Sequence, residues 1–339
     1  MVKPISRIST EIDFEKNGKQ VGHLAVPSST NESAYGIVPI PLTVIKNGKG
    51  PTVFFSGGVH GDEYEGPVAL MKLAAKLTPA KIQGRVIILP AMNLPAVLAG
   101  QRCSPLDGLN MNRVFPGERN GSITLQIAHY VSNVLLPLTD YQFDFHSGGK
   151  TLEYIPTMIM NVSKDKKREK RTTEALRAFG LPIGLVDVKS DHGGLFEMEC
   201  EERGILSTNA ELGGAGRVDV QTLAWTETGM MNLLKFFGLM DGKIVTPESQ
   251  GRPAPRIMEV NDPRSNSYAP DTGLYEHFVD LGATVKSGQT IGQVHFPGNW
   301  EKKPWPVKAR RAGLMVLKRP PGRVERGDVV AQIAADWKG

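Results

Sequence analysis

At 339 residues the chain has room for a catalytic-sized domain and a smaller companion. Its composition, 40% apolar and 22% charged, is that of an ordinary globular protein, and a net charge of +5 spread along the chain argues against a nucleic-acid binder, whose basic residues gather on one face. Two distant cysteines, Cys103 and Cys200, exclude a disulfide framework and a cysteine zinc site, and neither an apolar signal core nor a membrane-length apolar run is present, so a reduced, cytoplasmic protein without nucleic-acid or membrane partners is expected.

In chain order, β and α patterns alternate up to about residue 245. "PTVFFSG" reads as a strand, and "GPVALMKLAAKL" as an amphipathic helix with Val68, Leu70, Met71, Leu73 and Ala74 on its apolar side. "GRVIILPAMN" is a second strand, ending at Asn93-Leu94-Pro95, and "SITLQIAHYVSNVLLPL" a helix that Pro137 ends. "DYQFDFHSGG" is a third strand broken by glycines, and "YIPTMIMN" a fourth. The basic run "SKDKKREKR" before "TTEALRAFG" is the solvated start of a surface helix. "GILSTNAELGG" is a fifth strand and "TLAWTETGMMNLLKFFGLM" a closing helix. Strands alternating with helices predict an α/β fold with a mixed, mostly parallel sheet flanked by helices on both faces.

From about Arg256 helical periodicity disappears and two similar stretches follow one another, "GLYEHFVDLGATVKSGQTIGQVH" and "GLMVLKRPPGRVERGDVVAQIA". Each runs Gly-Leu, strand, a turn with Val-x-x-Gly, strand, which is similar to the two halves of a barrel-sandwich fold. The long "FPGNWEKKPWPVKARRA" between them is no tight hairpin, so Lys302 and Lys303 are a poor match for a carrier lysine, and a structural or lid role is expected. The predicted division is a catalytic α/β domain over 1–250 and a β-rich barrel-sandwich-like domain over 251–339.

Functional groups of such a sheet collect where parallel strands end at their carboxyl edge. "FFSGGVHGDEYEG" places His60 and Glu63 after the first strand; Asn93 follows the second, His146 the third and Glu211 the fifth. Two imidazoles and one carboxylate, His60, Glu63 and His146, make a three-ligand zinc set with a fourth position for water, and the remaining carboxylate, Glu211, is placed to take a proton from water as it attacks a carbonyl. Each residue alone has a plainer reading as a helix-start or strand-end group, and it is their convergence on one edge that carries weight. His23, His129, His277 and His295 lack such context; His192, in the glycine-flanked "SDHGGLF", can reach the site.

The segment "AGQRCSPLDGLNMNRVFPG" holds Arg102 and Arg113 in irregular backbone, which is costly to order unless it shapes something. One guanidinium can grip a carboxylate bidentately while another stabilises an oxyanion; the alternative is a surface loop with two solvated arginines.

H-G-D-E after a strand, N-x-P-A, G-x-R, N-R-x-F-P-G, D-F-H-S-G-G and E-L-G-G occur here in the order found in the succinylglutamate desuccinylase/aspartoacylase family, relatives of the zinc carboxypeptidases, which the chain resembles over roughly residues 20 to 240. The resemblance implies one zinc ion per chain on His60, Glu63 and His146, Glu211 as general base, Arg102 on the developing oxyanion, and Asn112 with Arg113 on the substrate carboxylate. The stretches "GGVHGDEYEG", "SPLDGLNMNRVFPG" and "DFHSGGKTLEYIP" are most similar to the branch that deacetylates N-acetyl-diaminobutyrate in ectoine breakdown. Where several relatives read D-x-N-R, this chain has Asn110-Met111-Asn112-Arg113, so a ligand histidine oriented there by a carboxylate leans here on an amide, or on nearby Asp107. The expected partner is a small N-acyl amino acid, with self-assembly into a homo-oligomer left open. An aspartoacylase, a succinylglutamate desuccinylase or a metallocarboxypeptidase would share the site, and a non-catalytic binding module is the reading from a different class. A cationic side chain on the substrate would need an acidic or carbonyl partner, for which Asp191 and Glu197 are candidates.

Overall fold

The first two strands, β1 (Gly18–Ser28) and β2 (Gly36–Asn47), form a long antiparallel hairpin that the sequence reading passed over. Pro39 and Pro41 argue against a strand, yet both lie before the stretch of β2, Thr43–Asn47, that pairs with its other neighbour, so their missing N–H groups interrupt no ladder on that side. The computed structural model describes residues 5–162, 165–187 and 193–338.

β3 (Thr52–Gly57), α1 (Glu65–Lys76) and β4 (Gly84–Leu89) follow, then α2 (Leu94–Ala99), α3 (Ile123–Tyr130), β5 (Tyr141–His146), β6 (Glu153–Tyr154) and β7 (Thr157–Asn161). Next come α4 (Lys166–Phe179), β8 (Ile183–Asp187), α5 (Phe196–Glu202), β9 (Leu206–Glu211), α6 (Val220–Phe236) and β10 (Arg256–Glu259). The main sheet has the order β1-β2-β4-β3-β5-β9-β7-β8-β10. Its central strands β4, β3, β5 and β9 run parallel; β7, β8 and β10 are parallel to one another and antiparallel to β9. Every residue of β3 and β4 is buried, as continuous apolar runs covered on both faces require.

Strand alternation sends neighbouring side chains to opposite cores. Phe55, Phe143 and Phe145 pack with Leu70 and Leu73 of α1, Leu176 and Phe179 of α4, and Leu233 and Leu234 of α6. Phe54, Ile87 and Leu89 face the other way, against Ile127 and Ala128 of α3, Phe196 of α5 and the inner side of the β1–β2 hairpin. Beyond α3 the helix loosens through Val131–Leu135 and tightens through Leu136–Leu138, ending beside Pro137.

The remaining strands are β11 (Asn266–Tyr268), β12 (Gly273–His277), β13 (Thr284–Val285), β14 (Thr290–His295), β15 (Trp305–Lys308), β16 (Gly313–Lys318), β17 (Arg323–Val324) and β18 (Val329–Asp336). The sequence repeat appears as reciprocal pairing. β12 and β14 form one hairpin and β16 and β18 the other, while the short strand of each half pairs with the opposite half, β13 with β16 and β17 with β12. Val285 and Val324, at equivalent positions, share one core. This antiparallel region is continuous with the main sheet, because β18 pairs with β10, and β16 pairs with β6. Lys302 is held by Asp271 at 3.1 Å and lies over the Phe296 ring, which is no arrangement for a mobile arm.

Candidate metal centre and pocket

The turn between β3 and α1 runs close against α2. A Cβ on Gly61 would sit 1.9 Å from the carbonyl carbon of Ala96, so the residue after His60 must be glycine for this packing. The Gly61 N–H donates to the Gln101 carbonyl at 2.9 Å, which fixes the turn and points His60 and Glu63 to the carboxyl edge of the sheet.

His60, Glu63 and His146 meet there, all buried, with their ligand-type atoms within 4.8 Å of one another, an arrangement that can hold a metal ion. His60 Nδ1 lies 2.7 Å from Glu63 Oε1 and His146 Nδ1 lies 2.8 Å from Oε2. The Ser147 N–H also donates to Oε2, at 3.2 Å. Burial opposes ionisation of Glu63, but the two imidazoles outweigh it and hold the carboxyl well below its usual range.

The second ring nitrogens turn outward. His60 Nε2 is 3.0 Å from Asn110 Oδ1, so the amide of the variant motif takes the orienting position. Asp107 is engaged elsewhere, accepting from the N–H and hydroxyl of Thr124 at 2.9 and 2.8 Å. His146 Nε2 is 2.8 Å from Asp144 Oδ2, an ion-pair distance, but the two are poorly aligned for a hydrogen bond and neither atom has a well-directed one. Asp144 is in turn fixed by the Ser56 hydroxyl at 2.7 Å. Burial would lower the His146 pKa, and the Asp144 and Glu63 carboxylates overcome it and raise the imidazole well above its ordinary value. Asp144 was missed in the sequence reading, although the signal was present: in D-F-H, residues two apart on a strand share a face.

β9 pairs with β5 in a register that sets Glu211 directly beside His146. Burial, with the nearby Glu63 carboxylate, pushes the Glu211 carboxyl up to about 8, and its Oε2 is buried without a hydrogen bond. Arg102 comes from the irregular segment after α2, and Arg113 from a single 3-10 turn, Met111–Arg113, that interrupts it. Arg102 reaches inward to Glu63 Oε1 at 3.2 Å with its side chain 50% exposed; Arg113 is exposed and donates to the Asn112 carbonyl at 2.6 Å. Asn112 is buried and locked, its Oδ1 accepting from the Phe196 N–H at 2.8 Å.

All seven residues singled out, His60, Glu63, Arg102, Asn112, Arg113, His146 and Glu211, line one pocket of about 390 Å³. Asn93 is fully buried and is not part of that lining. Glu197 and Asp187 do line it, and burial raises the Glu197 carboxyl. Asp191 and His192 lie outside the described residues. Tyr154 completes a wall of the pocket and was not foreseen as a site residue.

The model of the "Succinylglutamate desuccinylase/Aspartoacylase catalytic domain" family matches residues 49–237, the span that carries His60, Glu63, His146 and Glu211. The chain belongs to that family. It is 42% identical over 330 residues to the N-alpha-acetyl-L-2,4-diaminobutyric acid deacetylase of Halomonas elongata, an alignment covering 97% of this chain and 95% of that protein. Among solved structures, the succinylglutamate desuccinylase/aspartoacylase of Rhodobacter sphaeroides superposes with a TM-score of 0.95 at 40% identity, covering 98% of this chain and 100% of that one. The product-bound ectoine utilization protein EutE (DoeB) of Ruegeria pomeroyi gives 0.93 at 38% identity, covering 97% and 99%. These likenesses span the C-terminal β-rich region as well as the α/β part. Among the described residues no helix is long and apolar enough to cross a membrane.

Proposed function

We propose that the chain is a zinc-dependent, cytoplasmic deacylase of N-acyl amino acids, acting on N-acetyl-L-2,4-diaminobutyrate to release acetate and diaminobutyrate in ectoine degradation. The observation that carries this reading is the buried His60–Glu63–His146 cluster with Glu211 in register beside it, in a chain so similar over its whole length to a diaminobutyrate deacetylase. The donor set fits zinc: two imidazole nitrogens and a carboxylate converge, and Asn110 and Asp144 stand behind the histidines as ring-orienting partners. A zinc ion held by these three residues, one per chain, supplies Lewis-acid polarisation of the acyl carbonyl and an acidified water.

The chain's own residues do the rest. Glu211, as the carboxylate, takes the proton from the attacking water and passes it to the leaving amine, and burial suits it to the first step by raising its proton affinity. Arg102, close to Glu63, faces the acyl oxygen as negative charge develops on it. Arg113 binds the substrate α-carboxylate with its planar fork, and Asn112, whose side-chain Oδ1 accepts from the Phe196 N–H, turns its side-chain NH2 group to the same carboxylate. Glu197, at the pocket wall, receives the distal ammonium of diaminobutyrate. We also retain the division into a catalytic part, 1–250, and a supporting β-rich part, 251–339, as an organisational proposal. The test is a deacylation screen of zinc-loaded protein on N-acetylaspartate, N-succinylglutamate and the two N-acetyl-diaminobutyrate isomers. Fastest cleavage of the Nα-acetyl isomer is expected; faster cleavage of N-acetylaspartate would reject the substrate assignment while leaving the amidohydrolase reading in place.

A further inference from the structure

Strand β6 has two residues, and both are tied to other parts of the molecule. Glu153 pairs with Arg217 at 2.6 Å and with Lys318 of β16 at 3.5 Å. The Tyr154 N–H donates to the carbonyl of Gly213, two residues past Glu211, at 3.0 Å, and the Ile155 N–H donates to the carbonyl of Val316 in β16 at 2.9 Å. Leu317 lies opposite Tyr154 and Lys318 opposite Glu153 in antiparallel register. The contact on the inner side is tight: a Cβ on Gly214 would sit 2.2 Å from the Leu152 carbonyl oxygen, at a φ of +132° that itself favours glycine. The backbone of Tyr154 is therefore clamped between the exit of the Glu211 strand and a strand of the C-terminal β-rich region.

The Tyr154 side chain lines the pocket, and among the described residues its hydroxyl has no hydrogen-bond partner. Burial, with Glu211 and Glu63 adding, raises the phenol well above its ordinary range, so it is a neutral O–H donor. Glu211, Glu63 and Arg102 line the same pocket, so Tyr154 shares its space with the groups that surround the acyl carbon. An O–H held there stabilises an oxygen that gains negative charge as water adds, and does so without reorganising.

We propose that Tyr154 is a further substrate-contacting residue, donating a hydrogen bond to the acyl oxygen beside Arg102, and that β16 of the C-terminal region positions it through β6. This rests on the deacylase reading. It gives the C-terminal region a part in the reaction through a backbone ladder, with none of its described side chains in the pocket lining.

The test compares full-length, zinc-loaded wild type, Tyr154→Phe, Lys318→Met and the double variant on N-acetyl-diaminobutyrate, with zinc content measured for each and amide hydrogen exchange followed at residues 153–155. Tyr154→Phe keeps the ring and should lower kcat by about tenfold or more with KM within about twofold, the pattern of a contact made in the transition state. Lys318→Met should lower kcat by roughly twofold to fivefold, speed exchange of the Tyr154 and Ile155 amides, and have no further effect in the Tyr154→Phe background, because coupled residues are non-additive. A Tyr154→Phe enzyme with wild-type kcat overturns the contact. A Lys318→Met effect that persists in full without the hydroxyl overturns the positioning role. Wild-type protein inactive on every N-acyl amino acid overturns the deacylase reading and this inference with it, whereas an active wild type beside an unimpaired Tyr154→Phe overturns this inference alone.

Discussion

The two ends of the pocket are built on opposite principles. At the ligand end His60, Glu63 and His146 are 3%, 3% and 5% exposed, and every ring nitrogen has a neighbour at 3.0 Å or less. At the other end Arg113 is exposed, on a single 3-10 turn (Met111–Arg113) in an otherwise irregular segment. The buried end is ordered by folding, so its geometry is in place before anything binds. The exposed Arg113 side chain must be ordered further when a ligand arrives, and that entropy is charged to binding. Damage at the first end should therefore appear in metal content or kcat, and damage at the second in KM.

The largest effect is expected from His146→Ala. Activity should fall to background and most bound zinc should be absent by metal analysis, with circular dichroism unchanged, since β5 pairs through its backbone. Full zinc occupancy in that variant would break the ligand assignment. Glu211→Gln comes next: about a hundredfold or greater loss of kcat, with zinc and substrate affinity retained. Near-normal turnover would show that the proton passes through another group. Asp144→Asn touches the ligand end at one remove. Removing the carboxylate behind His146 should weaken zinc binding by about tenfold, read by competition with a chelator, against no change if the ion-pair distance is incidental. The smallest effect belongs to the open end. Arg113→Lys keeps the charge but loses the fork, and should raise KM by roughly tenfold with kcat little altered. A fall in kcat at constant KM would erase the proposed distinction between the two ends.

Much of the ligand edge was legible because strand ends are marked by punctuation. His60, His146 and Glu211 each stand two residues from a glycine at a strand end, and parallel strands bring such ends together. Asp144 required only the two-residue period of the same strand. The β1–β2 hairpin carries prolines whose harmlessness depends on where β4 ends, a fact about a partner strand that local sequence does not carry. Tyr154 was hidden for a similar reason. "LEYIP" looks like the start of the next strand, and its place in the pocket wall depends on pairing with residues 317 and 318, far along the chain. The choice between Asn110 and Asp107 behind His60 turned on Thr124, which draws Asp107 away. The halves of the C-terminal repeat were visible; their exchange of short strands was not, because a repeat states likeness and is silent about which copy pairs with which.

β18 has a bearing on how the protein is made. It pairs with β10, which closes the far side of the main sheet, with β16, which holds β6, and with β11. Of all the described strands it leaves the ribosome last. Until it arrives, the α/β part can gather its cores around β3, β4 and β5, but β10 presents an open row of amides and carbonyls, and such edges recruit other chains. Nascent chains stalled before Val329 should accordingly be found with chaperones or in aggregates, and the emergence of β18 is the event that seals the sheet.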